Sequence, residues 1–343
     1  MIRIAVFFMC VICLGAVLCL AYRLAGSDKA TENDIASRTG FALNTSITIR
    51  IYHPDEHADE YLQQCFAICD RYEKICSRTS EESELFLINK QVKEGKLEFT
   101  ISDELESIIS YGLAYGEYSD GAFDITIEPV SANWNFTADV HTVPDKSVIE
   151  DALSYVSYRD VEVGNNTLKF AKAGMGLDLG GIAKGYIADK IKEYLLENKV
   201  DSALIYLGGN VLCVGEKPDG SDFRIGIQMP FGEYQETIAA ISCKDCSIVT
   251  SGIYERYFVK EDKMYHHILD PETGYPYEND LLGVTILSKK SVDGDGLSTT
   301  CFSLGLEEGK KLVDSLEDTY AVFITKDEKL HYSEGFEDFM IKD

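Results

Sequence analysis

Strand and helix patterns follow one another from residue 41 onward, with no Pro/Ser-rich linker and no internal repeat between them. Residues 45–52 alternate apolar and polar side chains like a half-buried strand, whereas residues 56–75 carry apolar side chains at helical spacing. Further helices are predicted over 103–115, 182–198 and 295–316, and further strands over 203–207, 211–214, 225–228, 237–242, 283–287 and 321–325. This interleaving predicts one α+β domain with mixed or antiparallel sheets flanked by helices.

The N-terminal residues form a different kind of segment. Residues 4–22 are an apolar run about one bilayer long, with Arg3 before it and Arg23 after it. A cleaved signal peptide and an uncleaved anchor both fit, so residues 1–23 predict export. Residues 24–40 are small, polar and aperiodic, which indicates a flexible tether to a domain over 41–343. We therefore expect the protein at the cell membrane, with this domain outside the cytoplasm.

The charge balance limits the partners. Lys and Arg number 32 against 58 Asp and Glu, a net charge of -26. Nucleic acid is excluded as a main partner, because binding it over a wide surface needs clustered Lys and Arg. A bound phosphate must instead be held locally, by a glycine-rich turn, a helix N-terminus or a metal ion.

The cysteines do not predict a catalytic site. Cys65, Cys69 and Cys76 lie on the apolar side of the first helical pattern, which indicates core packing. Cys243 and Cys246 have redox spacing and are compatible with a disulfide. Their neighbours indicate a strand and not a thioredoxin-like βαβ unit, which argues against redox catalysis.

The stretch LDLGGIAKGYIADKI, residues 177–191, has the pattern of an anion site. A short apolar strand is predicted to meet Gly180 and Gly181, followed by a helix with Lys184 in its first turn. Glycines allow a ligand to approach the backbone, and a helix start with a lysine favours phosphate. An ordinary tight turn with a surface lysine is the alternative.

Two further stretches carry candidate chemistry. Asp295 and Thr299 are four residues apart, so a helix places their oxygens on one face, as Mg²⁺ or Ca²⁺ ligands require. The alternative is an N-cap aspartate with a core-facing threonine; Asp293 could share either role. His266 and His267 are neighbours, so in a strand they face opposite sides, and one of them could take a proton near neutral pH. A structural histidine is the alternative.

Taken together, these stretches resemble the ApbE family of FAD:protein FMN transferases. The resemblance runs in the family's order through FALNTSITI (41–49), SRTSEESELFLIN (77–89), SDGAFDITIEPVSANWNF (119–136), LDLGGIAKGY (177–186), IYLGGNVLCVG (205–215), IVTSGIYERYF (248–258), HHILDPETGYP (266–276) and GDGLSTTCFSLG (294–305).

The resemblance implies a compact α+β domain that binds FAD and Mg²⁺. It implies metal ligation by the Gly181 carbonyl, Asp295 and Thr299, and a proton acceptor at His267. Flavin binding is implied for Leu43, Thr79, Gly121, Ala122, Phe123, Asp124, Asp178, Lys184 and Ile268. Thr79 stands where relatives often carry tyrosine, so aromatic stacking from that position is not expected.

The implied reaction is attack of a target Ser or Thr hydroxyl on the FMN phosphorus of FAD, with AMP leaving. Acceptors in the family are exported or membrane flavoproteins that carry a short Ser/Thr flavinylation motif. Two rival functions stay open: an FAD pyrophosphatase that uses water at the same site, and a surface protein that binds FAD without turnover.

Overall fold

The structure, a computed structural model, describes residues 35–136, 140–233 and 235–341. Its helices are α1 (Ala58–Cys76), α2 (Glu84–Lys93), α3 (Asp103–Tyr118), α4 (Glu128–Ser131), α5 (Lys146–Leu153), α6 (Ala183–Glu197) and α7 (Ser291–Asp314). Its strands are β1 (Ile35–Ala42), β2 (Thr45–Tyr52), β3 (Glu98–Thr100), β4 (Val161–Gly164), β5 (Thr167–Phe170), β6 (Ser202–Leu207), β7 (Asn210–Gly215), β8 (Phe223–Gln228), β9 (Thr237–Cys243), β10 (Ser247–Gly252), β11 (Tyr257–Lys260), β12 (Lys263–His266), β13 (Leu281–Ser288), β14 (Tyr320–Thr325) and β15 (Leu330–Tyr332).

Eight strands form the central sheet, in the order β1-β2-β6-β7-β10-β13-β14-β15. The pairings described from β2 to β15 are antiparallel, so the predicted α+β class is confirmed and the sheet is of the antiparallel type. Along β2, Ile47, Ile49 and Ile51 are buried, as the alternating pattern predicts. Every residue of β13 is buried because the strand lies within the sheet and α7 packs against it.

Helices α6 and α7 pack against each other and against the sheet. α6 contacts β6 and β7, while α7 contacts β10, β13 and β14. α7 is interrupted at Gly305, whose φ of 79° lies outside the helical region. On α1, the predicted stripe is confirmed, since Cys65, Cys69 and Cys76 are buried free thiols.

The N-terminal prediction needs one correction. Residues 35–40 were expected to end the flexible tether, but they belong to β1, next to β2 in the central sheet. Their side chains, mostly small or polar, give no periodic apolar signal. This edge strand is held instead by backbone pairing and by contacts such as Arg38 over the Phe66 ring. The predicted signal or anchor and the rest of the tether lie outside the described residues. Within the described ranges, no helix is long and apolar enough to span a membrane.

A second, smaller apolar cluster anchors the histidine-bearing hairpin β11–β12. Trp134 packs against Phe258 of β11 and Tyr265 of β12, with ring centroids 6.4 Å and 5.6 Å away. Its indole nitrogen donates to the Gly274 carbonyl at 2.9 Å. The loop after α4 therefore fixes both the hairpin and the turn that follows it.

Candidate active site

The segment before the glycine turn is buried, but it is not the strand that the sequence predicts. Leu177 and Leu179 are almost fully buried, and residues 177–179 belong to none of the described strands. The Asn89 side chain satisfies the Leu177 backbone instead, accepting from its N–H and donating to its carbonyl, both at 2.8 Å. A side-chain amide thus replaces the neighbouring strand, which local sequence cannot reveal.

Lys184 lies in the first turn of α6 and reaches back over the glycine turn. Its Nζ donates to the Gly180 carbonyl at 3.3 Å and lies 3.7 Å from Asp295 Oδ1. α6 begins after Ile182, which has no side-chain cap bond. The ammonium therefore places a positive charge at the glycine turn, beside the start of α6, an arrangement that favours an anion.

Asp295 is a buried carboxylate inside α7 and not an N-cap. α7 begins four residues earlier, at Ser291, and Asp295 is 3% exposed. Its Oδ2 accepts from the Gly185 backbone N–H at 2.9 Å, which leaves Oδ1 facing Lys184. Asp293 is occupied separately, since its Oδ1 accepts from the Tyr115 hydroxyl at 3.0 Å.

A close helix crossing holds Lys184 and Asp295 together. Asp189 on α6 accepts from the Ser291 and Val292 backbone N–H groups at 2.8 Å and 2.9 Å, capping α7 from outside. At Gly185 a Cβ would lie 2.7 Å from the Val292 Cα, so a larger residue would push the helices apart. The crossing therefore requires glycine.

Thr299 lies one turn after Asp295, and its Oγ1 is 3.0 Å from the Ser251 hydroxyl. A Cβ at Gly181 would lie 3.6 Å from Thr299 Oγ1 and 2.9 Å from the Phe123 ring. The missing Cβ thus leaves a small space lined by Gly181, Thr299 and Phe123. The Asp295 and Thr299 oxygens and the Gly181 backbone are hard donors of the kind that Mg²⁺ prefers, so the residues fit the ion.

Asp178 braces the entrance to the glycine turn. Its Oδ1 accepts from the Gly180 N–H at 3.0 Å, and its Oδ2 accepts from the Ser131 hydroxyl at 2.9 Å. Arg78 Nε lies 2.8 Å from the same Oδ2. Thr79, the next residue, is exposed, and its N–H donates to Ser77 Oγ at 3.3 Å.

The polar groups of the loop 121–124 form hydrogen bonds with other groups of the protein. Asp124 Oδ1 accepts from the Thr126 N–H and hydroxyl, and Oδ2 accepts from the Tyr158 N–H at 2.8 Å. Burial raises the pKa of Asp124, while these bonds act in the other direction. Ala122 accepts from the Tyr277 hydroxyl at 2.8 Å, and Gly121 has a φ of 93°. The Asp124 carboxylate therefore shapes the loop, and the Phe123 ring faces Gly181.

Two other residues implied in flavin binding have local contacts. Leu43 lies in the β1–β2 turn with a φ of 52°, packs against the core and donates its N–H to Glu73 Oε2 at 3.4 Å. Ile268 is 5% exposed within the core, and its carbonyl accepts from the Tyr277 N–H at 3.1 Å.

His267 follows β12 and pairs with Arg256. Its backbone N–H donates to the Arg256 carbonyl at 3.1 Å, and its Nδ1 lies 3.3 Å from the same oxygen. With Nδ1–H as the donor, Nε2 keeps a free lone pair. Desolvation, helped by the positive charges of Arg256 and Lys184, lowers the pKa of His267 to about 3. The imidazole therefore stays neutral well below the pH expected of an ordinary histidine.

His266 has different surroundings, as the alternation of strand side chains predicts. Its Nε2 lies 3.0 Å from the Tyr277 carbonyl, its ring packs edge-on against Phe302, and it is 6% exposed. Burial lowers its pKa to about 4. These contacts make His266 part of the protein interior.

Glu255 and Arg256 belong to the same charged group, although residue patterns alone did not single them out. Desolvation raises the pKa of Glu255 to about 7; the charges of Lys184 and Arg256 lower it, and that of Asp295 raises it. Both residues lie in IVTSGIYERYF, a stretch that carries the family resemblance, and so does Arg78 in SRTSEESELFLIN. Their position in these family-like stretches is the sequence feature that could have identified them.

Comparisons with known proteins agree with this geometry. A sequence model described as the ApbE family matches residues 43–324. A protein of Klebsiella pneumoniae named FAD:protein FMN transferase is 36% identical over 298 residues, which cover 86% of this chain and 91% of that protein. One of the same name from Treponema pallidum is 32% identical over 342 residues, covering 95% and 94%.

The fold has solved counterparts. The crystal structure of the ApbE protein from Thermotoga maritima superposes with a TM-score of 0.82 at 30% identity, covering 90% of this chain and all of that one. The flavin transferase ApbE from Vibrio cholerae gives a TM-score of 0.79 at 25% identity, covering 89% and 99%. Because the sequence match and the fold agree over nearly the whole described chain, the protein belongs to the ApbE family.

Proposed function

We propose that this protein is an FAD:protein FMN transferase, which moves the FMN half of FAD onto a Ser or Thr hydroxyl of another protein. The observation that carries the proposal is the meeting of Lys184, Asp295 and the Gly180-Gly181 turn at one helix crossing. The relatives that bear this name support it.

FAD is the substrate, and Mg²⁺ is the ion that the site would take. The Asp295 carboxylate, the Thr299 hydroxyl and the Gly181 carbonyl would hold it, since all three are hard oxygen donors and Thr299 lies beside Gly181 and one turn after Asp295. When bound, the ion neutralises charge on the pyrophosphate of FAD.

The chain's own residues supply the remaining steps. The Lys184 ammonium binds the phosphates. Nε2 of His267 takes the proton of the acceptor hydroxyl as its oxygen forms a bond to the FMN phosphorus. The bond from that phosphorus to the AMP oxygen breaks, and AMP leaves with the electron pair. Arg256 holds the His267 ring through its carbonyl.

The partner is an exported or membrane flavoprotein that carries a Ser/Thr flavinylation motif. The apolar residues 4–22 support a location at the membrane with the catalytic domain outside the cytoplasm. The net charge of -26 argues against nucleic acid as a partner.

The test is incubation of the purified protein with FAD, Mg²⁺ and a flavoprotein that carries such a motif. Mass spectrometry of the acceptor should show the added mass of FMN, with AMP released in equal amount. Release of AMP and free FMN without a modified acceptor would identify an FAD pyrophosphatase. Bound FAD with no AMP would identify a binding protein.

A further inference from the structure

Three cysteines lie close together beside the turn that joins the end of β9 to the start of β10. None of them is among the residues assigned to FAD and Mg²⁺. Cys213 lies in β7, Cys243 ends β9 and Cys246 directly precedes β10. All three are buried, and their Sγ atoms lie within 4.8 Å of one another. The Cys213 N–H donates to the Cys246 carbonyl at 2.8 Å, so the strand pairing itself brings the third sulfur to the other two.

The structure joins Cys243 and Cys246 in a disulfide and leaves Cys213 as a free thiol. A disulfide uses two sulfurs, so it does not explain why the third lies within 4.8 Å of both. Thiolates on a zinc ion have Zn–S bonds of about 2.3 Å, which places sulfurs roughly 3.8 Å apart in a tetrahedral site. Once the Cys243–Cys246 bond is reduced, its two sulfurs must separate by roughly 1.8 Å from a bonded distance of about 2.0 Å. The Cys213 sulfur, which lies within 4.8 Å of both, needs to approach by no more than about 1 Å to share one ion.

An exposed two-residue turn and an ion pair lie beside the cluster. Only Lys244 and Asp245, both exposed, separate the two cysteines of the turn. Lys192 Nζ lies 2.7 Å from Asp245 Oδ1, which also accepts from the Gly215 N–H at 3.2 Å. Burial raises the pKa of the Cys213 thiol to about 12, the Lys192 charge lowers it and the Asp245 charge raises it. The Lys192–Asp245 ion pair therefore leaves little net charge beside the thiols, and bound Zn²⁺ would itself supply the charge that holds them deprotonated.

We propose that Cys213, Cys243 and Cys246 form a second, soft-metal site, which binds one thiophilic cation of the Zn²⁺ class once the disulfide is reduced. A dithiol reductant supplies two electrons and two protons to the Cys243–Cys246 bond and itself becomes a disulfide. Zn²⁺ then exchanges three S–H bonds for three S–Zn bonds and releases three protons to solvent. Thiolate softness separates this site from the oxygen donors of Asp295 and Thr299.

The experiment uses the full chain with Cys10, Cys13 and Cys19 replaced by Ser, so that residues 1–34 contribute no thiols. One sample is reduced with a dithiol under nitrogen and one is kept oxidised; both are desalted, then given Zn²⁺ in excess Mg²⁺ and desalted again. The reduced sample should retain one more zinc per chain than the oxidised sample. Replacing Zn²⁺ by Cd²⁺ should give a thiolate charge-transfer band.

Cys213→Ser should lose this extra zinc, and Cys301→Ser, which removes a buried free thiol on α7, should keep it. Melting curves check that both variants are folded, and Cys213→Ala provides a second replacement if the serine variant is not. Equal zinc in the reduced and oxidised samples, or unchanged zinc in folded Cys213 variants, would overturn the proposal.

Discussion

At the residue scale, Asp295 accepts a hydrogen bond from the Gly185 N–H and is also the proposed Mg²⁺ ligand. Two substitutions separate these roles. Asp295→Asn keeps an oxygen for the Gly185 N–H but removes the charge, so we expect loss of Mg²⁺-dependent turnover by at least about 100-fold with a small change in melting temperature. Asp295→Ala also leaves a buried N–H unpaired, which costs about 1–3 kcal/mol. Turnover rates measured across a Mg²⁺ titration check the loss of activity, and thermal melts check the change in stability. An unchanged Mg²⁺ dependence in the Asn variant would contradict the ligand assignment.

Lys184 should contribute to binding more than to folding. Its ammonium faces the glycine turn, so Lys184→Ala should weaken FAD binding by roughly 10-fold, the loss of about 1.4 kcal/mol of charge-assisted bonding. Lys190→Ala is the matched control on α6, since Lys190 pairs with Glu193 at the surface. Calorimetric titration with FAD compares them. If Lys184→Ala lowers only the melting temperature, the lysine is structural.

The two histidines should differ in activity. His267→Ala should lose about 10²- to 10⁴-fold in single-turnover FMN transfer while still binding FAD, whereas His266→Gln should stay near wild type. The pKa of His267 is lowered to about 3, so its base form persists until the pH falls toward that value. We therefore expect no acidic limb from His267 near pH 6.5. A fall in the wild-type rate near pH 6.5 that disappears in His267→Ala would contradict the lowered pKa of His267.

At the element scale, the crossing of α6 and α7 depends on a missing methyl group. Gly185→Ala would place a Cβ against the Ser291 carbonyl and 2.7 Å from the Val292 Cα, both backbone atoms that cannot move aside cheaply. We expect a loss of about 2–4 kcal/mol in unfolding free energy, together with weaker Mg²⁺ activation, because Asp295 moves with α7. Denaturant melts measure the loss. Lys190→Ala should change stability by less than about 0.5 kcal/mol; equal losses would show that the crossing is not tight.

Sequence patterns located elements better than their ends. β2 was predicted with its observed bounds, because its alternating isoleucines are a local signal. The start of α7 was predicted four residues late, at Asp295. Gly294 and Gly296 weaken the local helix signal there, and the stabilising cap comes from Asp189 on another helix. Residues 177–179 were predicted as a strand, but Leu177 bonds to the Asn89 side chain instead of to a neighbouring strand. Partners that are distant in the sequence produce no periodic pattern, so neither feature could be predicted locally.

At the scale of the whole molecule, the buried His266 should make stability sensitive to acid. The folded-state pKa of His266 is about 4 and its unfolded value about 6.5, so between these values the unfolded chain binds more protons. Stability is therefore full above about pH 6.5 and falls as the pH drops toward 4, by on the order of 2 kcal/mol for His266 between pH 7 and pH 5. Denaturant unfolding curves measured at pH 7 and at pH 5 test this loss of stability. His266→Gln should lose less between pH 7 and pH 5 than wild type, and an equal loss would contradict the assignment.

The class of the whole fold and its family could be predicted because many short motifs kept one order along the chain. The site could be predicted only in outline. Lys184, Asp295 and Thr299 stand out by residue type and spacing. Glu255 and Arg256 can be assigned to the site only from the folded structure, in which their charges interact with the charged groups of the site, Lys184 among them. The pKa values of the histidines likewise depend on burial that no local pattern measures.

The Asp189 cap has a consequence for how opposite charges are distributed over the site. Because its carboxylate already accepts from the first two N–H groups of α7, the positive end of that helix is neutralised from within the protein. α6 has no side-chain cap at Ile182, but Asp295 of α7 accepts from its third N–H group, that of Gly185. Each helix therefore supplies the carboxylate that neutralises the start of the other, and the Lys184 ammonium supplies the positive charge at the glycine turn. A pyrophosphate and its counter-ion would thus meet a lysine and a carboxylate that these reciprocal caps already hold in place.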